Sequence, residues 1–297
     1  MVVSHEIATR ETSAQGGRLH RLPPHVWFVG SAVFHYLGPA FAVLLFAAIQ
    51  PLGVAWLRIL TAAAIFAAWR RPWRSWHLWD RSTRLTIGEL ALVLAAMNSV
   101  FYLAIDQLPL GTVAAIEFVP VIILAAVAVH TRRNLAALAL AFTGVCLLTD
   151  IQLTRAPLGL IFAACNAALF AAYITCAHRV AQQSAASGID GLAMAMLAAS
   201  LVVLPIGIGS AEAAFTNPQL LLAAAGVGIC SSVIPYVCDQ MAMQRLSRGA
   251  YALLVSLLPA TATVIGLVLL GQIPHPAEIV GVGLVMAGVA LHRDHQS

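Results

Sequence analysis

The chain has no lysine; all of its 16 basic residues are arginine. A phosphate-cradling GxxxxGK[ST] loop needs that lysine, so this class of nucleotide site is excluded. A Schiff-base lysine is excluded for the same reason. Charge of either sign is scarce. Only 9% of the 297 residues are charged, against about 25% in a soluble domain. That leaves too little polar surface to cover a water-soluble body of this length. The arginines are scattered among short loops rather than gathered on one face, which argues against nucleic acid as a partner. Cysteines number 5 (Cys146, Cys165, Cys176, Cys230, Cys238), with no CxxC pair and all within apolar segments. They read as small apolar packers, and neither a disulfide framework nor a metal site is expected. Period-2 alternation is missing, which argues against a β-barrel. There is no GxSxG, no HExxH and no close carboxylate pair within one apolar segment, so no enzyme chemistry and no cofactor are expected. Gly281-Val282-Gly283 follows no strand and reads as a small-residue helix contact, not a dinucleotide loop.

What is present is apolar. Hydrophobic residues make up 61% of the chain, in runs of about 20, the length that spans a bilayer core as a helix. The fold class is therefore an all-α polytopic membrane protein. Ten spans are expected at about 26–48, 53–70, 85–105, 111–130, 134–150, 157–178, 189–209, 218–243, 249–271 and 275–292. Pro and Gly punctuate the short connections, as at Pro51, Pro72, Pro109, Pro157 and Pro274. Residues 1–24 are polar and carry Arg10, Arg18 and Arg21. The run that follows is expected to be a retained first helix rather than a cleaved leader.

The arginines also predict orientation. With the N-terminus in the cytoplasm, nearly all of them fall on cytoplasmic segments. Only Arg155 lies in an outer loop, and Arg58 lies within a span. Both termini are then cytoplasmic. Trp69, Trp73, Trp76 and Trp79 cluster at the cytoplasmic end of span two, where an aromatic belt would lie.

An internal repeat organises the spans. Ala104-Ile105-Asp106-Gln107-Leu108-Pro109-Leu110-Gly111 resembles Ala242-Met243-Gln244-Arg245-Leu246-Ser247-Arg248-Gly249, and each copy precedes a span containing a proline, Pro120 or Pro259. Phe142-Thr143-Gly144-Val145 echoes Met286-Ala287-Gly288-Val289. The predicted organisation is a cytoplasmic tail over 1–24, a first five-helix repeat over 25–152, a second over 153–292 and a short cytoplasmic tail over 293–297. Five is odd, so the halves enter the membrane in opposite senses, the pattern of many secondary transporters.

Ionisable residues inside spans are few, so each is a site candidate. Arg58 lies about 7 Å and Glu117 about 9 Å from the same outer face, at 1.5 Å per residue. Two readings apply: the pair lines a cavity for a zwitterion or a proton, or it only fixes helix packing. Asp239 lies about 9 Å from the cytoplasmic face, as a second polar point on the path, as a proton-titrating group, or as a carboxylate that reaches the interface or pairs with Arg245. His35, Tyr36, Asn98 and Asn166 fall near mid-depth, where they can meet a substrate or a neighbouring helix. Tyr102 and Tyr236 are further pore-lining candidates. Pro120 and Pro259, with Pro205 and Pro235, free backbone carbonyls and permit bending. Glu89 reads as interfacial, and Asp106, Asp150, Glu212 and Glu278 as solvated residues at span ends or in loops.

Several stretches carry a resemblance. They are Gly53-Val54-Ala55-Trp56-Leu57-Arg58, Asn98-Ser99-Val100-Phe101-Tyr102-Leu103-Ala104-Ile105 with Leu108-Pro109-Leu110-Gly111, and Ala115-Ile116-Glu117-Phe118. In the second half they are Ile234-Pro235-Tyr236, Asp239, Arg245-Leu246 and Pro259. With these the chain resembles the EamA-type members of the drug/metabolite transporter superfamily, and within them the threonine/homoserine exporter subfamily. The resemblance implies ten helices in two inverted repeats and export of a small amino acid from the cell, driven by protons across the plasma membrane. Efflux of drug-like or other small metabolites is the alternative, and a non-transporting membrane scaffold or enzyme ranks behind both. The resemblance further implies that Arg58 faces a substrate carboxylate and Glu117 an ammonium or proton. The chain departs from the subfamily at Asp239, where the pattern has glutamate. It departs again at Val119-Pro120, where the pattern reads Thr-Gly-Pro. Monomer and homodimer both stay open.

Overall fold

The computed structural model describes residues 24–120, 123, 131–153, 155–182, 188–235, 238 and 257–291. Among these the secondary structure is helical throughout. The helices are α1 (Pro24–Leu45), α2 (Pro51–Arg70), α3 (Arg81–Gln107), α4 (Leu110–Glu117), α5 (Arg132–Leu153) and α6 (Pro157–Gln182). They continue as α7 (Gly188–Ser210), α8 (Pro218–Gly228, running on into a π turn at Ile229–Val233), α9 (Leu258–Leu270) and α10 (Pro276–Leu291). Two 3-10 turns join α2 to α3, and a single helical turn, Glu212–Thr216, joins α7 to α8.

Local chemistry sets the ends. Proline starts α2, α6, α8 and α10, where its missing N–H costs nothing and its fixed φ suits the first turn. Asp80 caps α3 by accepting from the Thr83 N–H at 2.9 Å, so that helix begins earlier than the hydropathy pattern indicates. Leu108 is extended because Pro109 follows it. α9 ends at Gly271, whose φ of 62° is open to glycine at little cost. α4 stops at Glu117. Pro120 brings no N–H to the Ile116 carbonyl, so the helix expected to run from 111 to 130 is interrupted after two turns.

The surface is that of a membrane protein. α2, α3, Pro157–Ala177 of α6 and Asp190–Ser210 of α7 are long and apolar enough to cross a bilayer, with mean hydropathy from 1.7 to 2.2. Large apolar side chains such as Leu201, Leu222, Val268 and Phe142 lie outward and exposed, an arrangement a soluble domain avoids. Cys146 and Cys165 are exposed too, rather than packed inside as expected from the sequence. Trp79 departs from the expected aromatic belt. It is buried, with its ring edge-on to Trp76 at 5.7 Å, while Trp69, Trp73 and Trp76 stay exposed.

The main helix pairs are α5 with α10, α3 with α6, and α2 with α7. α4 packs on α9, and α1 packs on α8 and α9. α2 and α7 run antiparallel. The C-terminal Arg70 of α2 meets Asp190 at the start of α7 at 2.8 Å, and Trp56 donates to the Ser200 carbonyl at 3.0 Å. α5 and α10 also run antiparallel, along a seam of glycines. A Cβ on Gly144 would stand 2.6 Å from the Gly281 carbonyl oxygen, and one on Gly288 would stand 2.7 Å from that of Ala137. Only a hydrogen fits at either point, which lets the backbones approach closely.

Candidate substrate site

Between α1, α2, α3, α4, α6, α7 and α8 lies a cavity of about 170 Å³. Its polar wall carries His35, Arg58, Asn98, Glu117, Asn166, Ser231 and Ser232. Its apolar wall carries Met97, Phe101, Phe170, Tyr173, Leu192 and Met196, among others. The fold thus gathers five of the residues singled out in the sequence, from five helices, around one space.

Arg58 is held on several sides. Its Nε donates to the Ser232 hydroxyl at 3.0 Å and its Nη2 to the Ser231 carbonyl at 3.2 Å. Its guanidinium lies over the Tyr102 ring, 5.5 Å from the centroid. The Ser231 carbonyl is available for a chemical reason. In an α-helix its donor would be the N–H of residue 235, and residue 235 is proline. The π turn at 229–233 sits at this point, and α1 crosses it at Gly38, where any Cβ would collide with Ser231.

Glu117 is fastened differently. It ends α4, is 8% exposed, and accepts one hydrogen bond, from Asn166 Nδ2 to its Oε1 at 3.1 Å. Among the described residues no ion pair joins Arg58 to Glu117. The two opposite charges line the same cavity without neutralising each other directly. A half-buried guanidinium and a buried carboxylate kept apart in this way can each receive the complementary group of a zwitterion.

The other singled-out residues divide. Asn98 lines the cavity, with its Nδ2 bonded to the Leu94 carbonyl of its own helix at 2.8 Å. Asn166 Oδ1 is buried and has no hydrogen-bond partner among the described residues. His35 lines the cavity, and its ring meets that of Tyr36 edge-on at 5.2 Å. Tyr36 and Tyr102 are fully buried behind the wall rather than lining it. Pro120 lies just past the end of α4, and Pro259 lies in the first turn of α9, so both stand at helix termini. Asp239 and Tyr236 lie outside the described residues.

Sequence reasoning missed four residues that matter. Ser231 and Ser232 hold Arg58; Pro235 signalled a free carbonyl, but nothing in one dimension named its taker. Asp190 pairs with Arg70. Glu278, read as solvated, is 5% exposed, and its Oε2 accepts from the His275 N–H at 2.9 Å. That bond closes a capping box on α10. Glu278 also borders a second, wider cavity of about 540 Å³, where Arg155 and Gln272 stand as well. Beside it, the Leu110 N–H donates to Gln272 Oε1 at 3.1 Å, which satisfies the first turn of α4 from outside the helix. Among the described residues no group of histidine, cysteine and carboxylate side chains could hold a metal ion.

The helical membrane-protein fold thus encloses a small cavity in which a half-buried guanidinium and a buried carboxylate stand apart. Residues 157–293 match the EamA-like transporter family. It is 29% identical over 257 residues to the threonine/homoserine exporter RhtA of Escherichia coli (strain K12), covering 84% of each chain. The threonine/homoserine exporter RhtA of Salmonella typhimurium (strain LT2) matches at the same 29% identity and 84% coverage. A solved crystal structure, described only as that of a protein, covers 90% of this chain and 95% of its own, with a TM-score of 0.59 at 18% identity. That likeness concerns the fold alone.

Proposed function

We propose that this protein exports a small zwitterionic metabolite, of the amino-acid class that includes threonine and homoserine, by proton-coupled alternating access across the plasma membrane. The observation that carries the reading is the shared cavity in which Arg58 and Glu117 stand apart. Arg58 receives the carboxylate. Glu117, at the carbonyl end of α4 where a cation is favoured, receives the ammonium or a proton. The names of the two relatives point to the same substrate class.

The proposal includes ten crossings in two inverted five-helix repeats with both termini cytoplasmic. Support comes from packing. α2 on α7, α4 on α9 and α5 on α10 each join helices five apart in order. In the α5–α10 seam, Gly144 meets Gly281 while Gly288 meets Ala137. Shifting the first contact by 144 residues turns it into the second, as a two-fold axis in the membrane plane requires. The two halves then rock about the cavity between them.

Purified protein in liposomes, loaded with labelled threonine or homoserine under an imposed pH gradient, tests the reading. Gradient-dependent flux is expected. Absence of flux for every amino acid in a panel would sink the substrate assignment. The second reading, efflux of a drug-like or other small metabolite, draws on Phe101, Phe170, Tyr173, Met97 and Met196 along the apolar wall. In that case aromatic cations compete for the site and amino acids do not.

A further inference from the structure

Arg58 has two hydrogen-bonding edges, and the described residues engage one of them. The side edge, Nε with Nη2, is filled by the Ser232 hydroxyl and the Ser231 carbonyl at 3.0 and 3.2 Å. One planar face rests on Tyr102. Nη1 has no hydrogen-bond partner among the described residues. The end edge, Nη1 with the second N–H of Nη2, is therefore unengaged by the described residues at a cavity wall, and its fork matches the two oxygens of a carboxylate. A guanidinium on a flexible stem would otherwise rotate and spend its side edge on substrate or on neighbouring carbonyls.

We propose that Ser232 is a positioning residue for substrate recognition. Together with the Ser231 carbonyl released by Pro235, it locks the side edge of Arg58, so that the end edge is presented to a substrate carboxylate. Two further observations converge on the same device. The π turn carries both serines to Arg58. Gly38 lets α1 press directly on Ser231, which holds the turn in place. A guanidinium fixed in this way selects planar, bidentate carboxylates and discriminates against substrates that present a single oxygen.

This inference rests on the exporter reading of the cavity, and the experiment separates the two. In liposomes, the best-transported of the twenty L-amino acids serves as the probe, with its carboxamide as a competitor. Ser232→Ala is expected to raise the half-saturation concentration roughly tenfold, the loss of one hydrogen bond to a charged group. Maximal flux per folded molecule stays within about twofold, and inhibition by the carboxamide is unchanged. Ser232→Thr, which keeps the hydroxyl, restores the wild-type value. Where the alanine variant yields too little protein, Ser232→Cys is nearly isosteric, is a weak acceptor, and carries the same expectation. If Arg58→Gln abolishes transport while Ser232→Ala leaves half-saturation unchanged, the positioning role is overturned and the site reading stands. An equal loss for the carboxamide also overturns it, because Ser232 would then act elsewhere than on the carboxylate. If Arg58→Gln transports normally, or no amino acid is carried, both the site reading and this inference fall.

Discussion

The two charges of the cavity are secured by unlike means. Arg58 has a hydroxyl, a backbone carbonyl and an aromatic face around it, the first two from α8 and the third from α3. Glu117 has one amide, from Asn166 on α6, and sits where its own helix stops. A group fastened on three sides is built to keep one pose. A group fastened once, at an interrupted helix end, can change its hydrogen bonding and its protonation as the helix segments move. Under the proposed function, the difference becomes a division of labour: the arginine wall recognises, and the glutamate wall responds.

The largest expected effect breaks that contrast at its responsive side. Glu117→Gln keeps the shape and the bond from Asn166 but removes the charge. Flux driven by a pH gradient is expected to fall at least about 100-fold per folded molecule, the scale of losing a charged contact in a buried site. Exchange of labelled for unlabelled substrate without a gradient persists. A role limited to packing gives the opposite outcome, lower expression with gradient-driven flux per folded molecule intact. The next effect is smaller. Asn166→Ala leaves the buried Glu117 oxygen without its donor, and gradient-driven flux is expected to drop about tenfold. Substrate half-saturation moves less than it does for Ser232→Ala. If the two variants behave alike, the walls do not differ in role.

The sequence made the apolar elements legible, because hydropathy and proline punctuation act locally. It also pointed to Arg58 and Glu117, because a charge inside an apolar run is costly wherever the chain places it. What it could not supply was pairing. Depth alone allowed Arg58 and Glu117 to form an ion pair, yet α8 and α6 give each of them a different partner. Those partners are 174 and 49 residues away, and serine or asparagine in an apolar helix carries no mark of what it will bond. Glu278 was misread for a related reason. Its capping geometry places the carboxylate inward over the first turn of α10, although its position at a span end suggested solvent.

The charged contacts far from the cavity sharpen the comparison by contrast. Arg70 and Asp190 tie α2 to α7 at 2.8 Å, with side-chain exposures of 33% and 15%. Glu89 and Arg179 approach only to 4.0 Å and are 58% and 62% exposed. Asp190→Asn is expected to lower stability by about 1 kcal/mol or less, read as a lower Tm in detergent that high salt makes harder to see. Glu89→Gln changes Tm by less than the scatter of the measurement. If Asp190→Asn instead abolished transport while the fold held, that end of α2 and α7 would belong with the responsive wall.

A further small effect concerns Asp80, in the connection before α3. Its bonds to the Thr83 side chain and backbone N–H hold its carboxyl below the usual carboxylate range. A carboxyl whose folded value is depressed contributes stability at every pH above its unfolded value of about 3.9. That contribution fades as pH falls through the lower folded value. At neutral pH, Asp80→Ala is therefore expected to shorten the first turn of α3 and lower Tm slightly. Once pH has fallen below that folded value, wild type and variant converge. The readout is the Tm difference between the two proteins across pH 2.5 to 7, and flux at pH 7 stays at the wild-type level. A Tm difference that persists unchanged at acid pH would mean that the Asp80 side chain acts there by packing rather than as an ionised cap.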